Sequence, residues 1–152
     1  MNYYKPLVTV YVLTFNSSKF ILETLDSIKN QTYQNIELIV SDDCSTDNTI
    51  DLVDKWIVKN KNRFSHTQVI KNKVNTGIPS NANRALKVAN GEWLKGIGGD
   101  DVLNINCIEE YINFIKHNRN IKVIHAECEI YNDFFKISSF VRTTCRKDQG
   151  FC

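Results

Sequence analysis

The feature that most constrains this chain is a repeated alternation. Short apolar, β-branched runs are each followed by a stretch with helical periodicity. Leu7-Val8-Thr9-Val10-Tyr11-Val12-Leu13 is too short for a core helix and reads as a first strand buried on both faces. Ile21, Leu25 and Ile28 then recur at helical spacing up to Asn30. Ile36-Glu37-Leu38-Ile39-Val40 is a second strand, followed by a helix with Ile50, Val53 and Ile57 inward. Thr67-Gln68-Val69-Ile70 is a third, ended by the turn-rich residues 72–77. Ala82, Ala85, Leu86 and Ala89 line a third helix, which Asn90-Gly91 ends. Trp93-Leu94-Lys95-Gly96-Ile97 is a fourth strand, and Ile105, Ile108, Ile112 and Ile115 face inward from a fourth helix. Residues 121–130 supply one more strand around Val123, Ile124 and Ala126.

Repeated strand–helix units predict an α/β fold with a mostly parallel sheet and right-handed crossovers. Such sheets bind ligands outside the carboxyl ends of their strands, near a switch in strand order. The distinctive polar residues fall there: Thr14-Phe15-Asn16, Asp42-Asp43, Asn75-Thr76-Gly77 and Gly98-Gly99-Asp100-Asp101. Four separate loops therefore converge on one edge.

Composition narrows the function classes. With 152 residues, 42% hydrophobic and 24% charged, the chain fits one globular domain. The net charge of +2 is spread over scattered basic residues, which argues against a nucleic-acid partner. No apolar run approaches the ~20 residues that span a bilayer, and the first residues lack a signal-peptide design, so a cytoplasmic location is expected. Five cysteines without a CxxC pair read as reduced thiols. His66, His117 and His125 share no metal spacing and no nucleophile pattern.

Adjacent carboxylates repel each other, so two pairs at strand ends call for an explanation. Asp47 reads as a helix cap, helped by Ser45 and Thr46. That leaves Asp42 and Asp43, either of which can accept a hydrogen bond from a base N–H or a ribose hydroxyl. Asp43, Ser45, Asp47 and Asp54 have the spacing of a calcium loop, but Asn48 stands where glycine is required and a strand precedes them. Asp100 and Asp101 follow two glycines that let the backbone turn tightly and admit a bulky ligand. Their hard oxygens suit Mg²⁺ or Mn²⁺, which take one or two carboxylates plus substrate phosphates. A helix cap would use only one of them. Phe15 is either a core aromatic or a platform for a base, and Arg84 has the look of a surface helix residue.

Taken in order, these residues resemble the family 2 glycosyltransferases of the GT-A fold, whose core is a Rossmann-like sheet. The match runs from about Leu7 to Leu103. It includes Val8 through Asn16, Ser27-Ile28-Lys29-Asn30-Gln31-Thr32-Tyr33, Asn35 through Asp47, Asn75-Thr76-Gly77, Asn83 and Gly91-Glu92-Trp93. The resemblance implies a nucleotide site built from Thr14, Phe15, Asn16, Asp42, Asp43, Arg84 and Asp100. Phe15 would pack by the base and Asp43 would recognise it, commonly as uracil. Asp100, with Asp101 beside it, would match the metal-binding aspartate of the DxD motif and hold Mg²⁺ or Mn²⁺ against the diphosphate. It further implies an inverting displacement by a glycan or lipid-linked acceptor, assisted by a carboxylate base expected beyond Cys152. Peripheral association with the inner face of the membrane is compatible with such an acceptor.

Several positions depart from the family pattern. Leu13 replaces the usual proline, Cys44 the usual glycine, and Gly98 the first DxD aspartate. Ala82 stands where an arginine is frequent, with Arg84 close by. The expected organisation is a nucleotide-sugar-binding part over residues 1–137 of a truncated GT-A domain, then an irregular tail over 138–152. The alternative is a nucleotide-binding module without transfer activity. A sugar-nucleotide pyrophosphorylase would carry a glycine-rich basic loop where Thr14-Phe15-Asn16-Ser17-Ser18 stands, and a phospho-receiver would place its acidic pair after the first strand.

Overall fold

The computed structural model describes residues 4–118 and 120–124. Four strands, β1 (Val8–Thr14), β2 (Ile36–Asp42), β3 (His66–Lys71) and β4 (Trp93–Gly98), alternate with the helices α1 (Ile21–Lys29), α2 (Thr49–Asn60), α3 (Ile78–Val88) and α4 (Cys107–His117). The sheet is parallel throughout, in the order β3-β2-β1-β4. The chain steps outward from β1 through β2 to β3, then returns across to β4 on the other side of β1. That reversal creates the crevice in which α/β sheets bind ligands.

The strand sequences explain the layering. All seven residues of β2 are buried, as a parallel strand covered on both faces requires. On one face Val8, Val10, Val12, Ile36, Leu38, Val40 and Ile97 join Ile21, Leu25 and Ile28 of α1, Val53 and Trp56 of α2, and Ile108, Ile112 and Ile115 of α4. Each fully buried aliphatic side chain there is worth about 1.5–3 kcal/mol. The other face is covered by α3, which packs on β2 and β1 and leaves Leu94 of β4 half exposed, at 51%.

A polar anchor fastens the amino ends of the strands. Glu37, only 1% exposed, accepts hydrogen bonds from the Thr9 hydroxyl and from the backbone and side-chain nitrogens of Asn90, both at 2.8 Å. Burial pushes its carboxyl upward, but the Thr9 and Asn90 bonds outweigh that and hold it below the usual range. Gly91 completes the anchor by donating to Thr9 Oγ1 at 2.8 Å. A Cβ at Gly91 would lie 2.4 Å from the Thr9 nitrogen, so only glycine fits.

The strand and helix expectations hold for all four units, with three differences of phase. Ile105 lies ahead of α4 and is 59% exposed, because the helix starts only at Cys107. In α2 the buried partner of Val53 is Trp56, whose indole donates to Asp26 Oδ1 at 2.9 Å, while Ile50 and Ile57 are half-buried. In α3 Asn81 and Ala85 face the sheet, and Leu86 is exposed. Asn81 takes the inner position because Ser41 beneath it offers a carbonyl at 2.8 Å and a hydroxyl at 2.6 Å. Residues 121–124 have no regular structure. The rest of the expected fifth strand and the 138–152 tail lie outside the described residues.

Candidate functional site

The carboxyl ends of the four strands bring the polar loops together, and hydrogen bonds between loops fix their arrangement. Asp43, 3% exposed, stands just past β2 and turns its carboxylate toward the β3–α3 loop. Oδ2 accepts from the backbone nitrogens of Thr76 and Gly77 at 2.9 and 2.7 Å. Oδ1 accepts from Asn72 Nδ2 and the Thr76 hydroxyl, both at 3.0 Å, and from Arg84 Nη1 at 3.4 Å. Burial raises the Asp43 carboxyl, while the Thr76 and Gly77 amides, with Asn72 and the Thr76 hydroxyl, more than reverse it and hold it below the usual range. Gly77, at φ 83°, makes the left-handed turn that delivers these amides to Asp43.

A second set of bonds closes the β1 loop onto the β2 loop. Asn16 Oδ1 accepts from the Thr46 nitrogen at 2.8 Å, and the Asn16 nitrogen donates to Ser45 Oγ at 2.8 Å. Asn16 sits at φ 51°, a left-handed conformation that asparagine tolerates better than most residues. Asp42 is turned into its own loop, accepting from the nitrogen of Ser45 at 2.8 Å and from its hydroxyl. Cys44, between them, has φ 70°. Asp47 accepts from the Thr49 nitrogen at 3.0 Å and reaches across to the Ser18 nitrogen at 3.1 Å. The formal cap of α2 is Asn48, so Asp47 serves the helix end and ties it to the β1 loop. Desolvation raises the Asp47 carboxyl, and the bonds from Thr49 and Ser18 outweigh it, down to about 2.

Within this frame Phe15 stands 48% exposed at the end of β1, which removes the core-aromatic alternative. Thr14 is only 2% exposed, and its hydroxyl is buried without a partner among the described residues. It lies under Gly99: a Cβ added at Gly99 would come 2.9 Å from the hydroxyl oxygens of Thr14 and Ser17. Thr14 therefore floors the site. Arg84, whose Nη2 also bonds the Thr76 hydroxyl, is half-buried beside Asp43.

The loop after β4 behaves differently. Gly99 donates to Leu13 O at 2.8 Å and pins the turn to β1. Asp100 and Asp101 are exposed. Asp101 accepts one long bond, 3.3 Å, from Gly98 N, and Asp100 makes no hydrogen bond to a described residue. Both fold over Gly98: a Cβ there would lie 2.8 Å from Asp100 Oδ1 and 3.0 Å from Asp101 Oδ2. The missing side chain leaves a cradle where two hard oxygens converge, a donor set that fits Mg²⁺ or Mn²⁺ completed by phosphate oxygens and water. No group of three potential metal ligands occurs among the described residues.

Comparison with known proteins bears on the family and the fold. The family model described as glycosyl transferase family 2 matches residues 9–144. The chain belongs to glycosyl transferase family 2. The poly(ribitol-phosphate) beta-N-acetylglucosaminyltransferase TarS of Staphylococcus aureus is 35% identical over 119 residues, which is 76% of this chain and 20% of TarS. The crystal structure of TarS residues 1–349 with UDP-GlcNAc superposes with a TM-score of 0.67 at 34% identity, over 74% of this chain and 32% of that one. The mannosyltransferase PcManGT of Pyrobaculum calidifontis, solved with GDP-Man and Mn²⁺, gives a TM-score of 0.62 at 31% identity, covering 66% of this chain and 29% of that one. An Escherichia coli relative, the UDP-Glc:alpha-D-GlcNAc-diphosphoundecaprenol beta-1,3-glucosyltransferase WfaP, is 34% identical over 110 residues, 72% of this chain and 41% of WfaP. The four-stranded parallel sheet with flanking helices is the GT-A, Rossmann-like fold. The chain spans between 18% and 52% of the length of its curated relatives.

In this family 2 domain several residues that shape the site carry no motif signal of their own. Asn72 is an unremarkable turn residue until the fold sets it against Asp43. Arg63, which donates to the carbonyls of Lys29, Gln31, Tyr33 and Gln34, looks in sequence like one more scattered basic residue. No helix among the described residues is long and apolar enough to cross a membrane.

Proposed function

We propose that this chain is the donor-binding part of an inverting, metal-dependent glycosyltransferase using a UDP-linked sugar. The single observation that supports this most is the pairing of two loops at one sheet edge. One is fully knitted around Asp43, and the other holds Asp100 and Asp101 open over Gly98. The base would stack on Phe15 and meet the Asp43 cluster, where Arg84 Nη1, the longest donor at 3.4 Å, is the easiest for a base N–H to displace. Asn16 and Asp42 would hold the loops that frame the base and ribose, and Thr14 would floor them.

Asp100, with Asp101, would hold Mg²⁺ or Mn²⁺; the bound cation would neutralise the charge that builds on the departing UDP. The acceptor hydroxyl would attack the anomeric carbon from the face opposite UDP, forming the new glycosidic bond as the sugar–phosphate bond breaks. Its proton would go to a carboxylate in the portion of such enzymes that this chain does not span. A glycan or lipid-linked acceptor, met at the cytoplasmic face of a membrane, is proposed by analogy with the poly(ribitol-phosphate) acceptor of TarS and the diphosphoundecaprenol-linked acceptor of WfaP.

Isothermal titration of the chain with UDP, with and without Mn²⁺, tests the reading. Metal-enhanced binding that Asp100→Asn abolishes and Asp43→Ala weakens is the expected result. A wild type that binds UDP under neither condition overturns it. The alternative reading is a module that binds nucleotide without transferring sugar. A UDP-release assay with added acceptor separates the two.

A further inference from the structure

The open carboxylates of the β4 loop need something to hold them in place, and the bonds that do so come from the far end of α1. Gln31, 2% exposed, follows α1 in the connection to β2. Its Nε2 donates to Asn104 O at 2.7 Å and Ser27 O at 3.1 Å, and its Oε1 accepts from the Ile108 nitrogen at 3.1 Å. The last bond satisfies one of the donors left open in the first turn of α4, whose own cap residue, Asn106, makes no side-chain cap bond. Two more bonds follow the same seam: Thr32 N to Ile105 O at 2.9 Å, and Leu103 N to Ser27 Oγ at 3.1 Å. The segment after the two aspartates, residues 103–108, is thus stitched to α1, while Gly99 holds the segment before Asp100 to β1 at 2.8 Å. Arg63 braces the stitch from behind, donating to Gln31 O at 2.9 Å and Tyr33 O at 2.7 Å.

We propose that Gln31 is a positioning residue for the Asp100–Asp101 pair, acting as a remote cap of α4 and a clamp on the loop that presents both carboxylates to a metal–diphosphate. This rests on the metal reading of the preceding section. The physical need is specific. Two adjacent carboxylates, of which only Asp101 accepts a bond, a long one from Gly98 N, gain little from staying close, so the loop must be set from outside. Three bonds from one buried carboxamide do that without occupying the cradle. Its direction also matters, because α4 and the Asp100 turn share one short connection and move together when that clamp opens.

Gln31→Glu is nearly isosteric; it keeps the acceptor for Ile108 N, loses both donated bonds and sets an anion against two carbonyls. The variant is expected to bind UDP without metal within roughly twofold of wild type, while the Mn²⁺-dependent gain falls by about tenfold or more. Amide hydrogen exchange should accelerate over residues 99–108 and stay unchanged over 14–17, 42–47 and 72–77. Arg63→Lys, a milder change that keeps the charge and loses the fork, should shift the same two readouts in the same direction by a smaller factor. A folded Gln31→Glu chain with wild-type Mn²⁺ dependence overturns the proposal. So does a parallel loss of metal-free and metal-dependent binding. If wild type shows no metal-dependent binding, the metal reading has failed by itself. The clamp is then judged by exchange alone: acceleration confined to 99–108 sustains it, and acceleration spread over all four loops overturns it.

Discussion

Adjacent aspartates stand near the carboxyl ends of both β2 and β4, yet the two loops use them in opposite ways. After β2, Asp42, Asp43 and Asp47 are consumed by protein donors: Ser45, the Thr76 and Gly77 amides, Asn72, and the amides of Ser18 and Thr49. After β4, the Asp100 carboxylate makes no bond to a described residue and the Asp101 carboxylate accepts one long one. A carboxylate saturated by backbone amides builds shape, because it is stabilised as an anion and fixes whatever donates to it. A carboxylate left exposed beside its twin keeps its oxygens available, and the proposed function gives them to a cation. One acidic loop therefore makes the walls of the site and the other makes its charge.

Stability measurements offer the strongest test of that contrast. Asp43→Ala leaves several inward-facing donors unmet and is expected to cost about 3 kcal/mol in urea denaturation, whereas Asp100→Ala should stay within about 0.5 kcal/mol of wild type. Equal losses would erase the distinction. In binding, the order inverts. Asp100→Asn should abolish the Mn²⁺ dependence of UDP affinity at unchanged melting temperature, and a variant that keeps that dependence would move the metal elsewhere.

The pH response sharpens the same contrast more gently. Asp43, Asp47 and Glu37 all have depressed carboxyl pKa values in the folded state. They stabilise the fold above the unfolded-state values of about 4, and that contribution is lost as pH falls through the folded values, to about 2 for Asp47. A melting temperature that declines between about pH 4 and 2, with a shallower decline in Asp47→Asn, is the expected outcome. The smallest effect lies at Cys44. Its φ of 70° places a side chain in left-handed backbone, a cost of order 1 kcal/mol that glycine avoids. Cys44→Gly should raise stability by about 0.5 kcal/mol after the greater freedom of glycine in the unfolded chain is deducted. No gain would mean that the loop relaxes around the cysteine.

Much of this was legible before any coordinates. The four short runs became β1 to β4 because brief apolar or β-branched segments between turn signals favour strands, and β2 is buried along its whole length. Their order along the chain put all four polar loops at one edge. What escaped the sequence was helix phase and long-range partnership. A helix shows a stripe, but which residue of that stripe faces the sheet depends on what lies beneath. Ser41 therefore drew Asn81 inward where Leu86 seemed the better candidate. Ile105 looked like one more turn of the α4 stripe, yet its carbonyl is spent on Thr32 and its side chain is left in solvent.

The sequence by itself determined the fold class, the family and the edge where ligands belong, since those follow from local periodicity and from side-chain chemistry at strand ends. Only the tertiary structure decided which carboxylates are spent and which remain free. That depends on donors distant in sequence, such as Gly77, 34 residues beyond Asp43, and on Gln31, 77 residues before the Ile108 amide it caps. A hydrogen bond is satisfied in space, and no local pattern in the chain states where its partner will be.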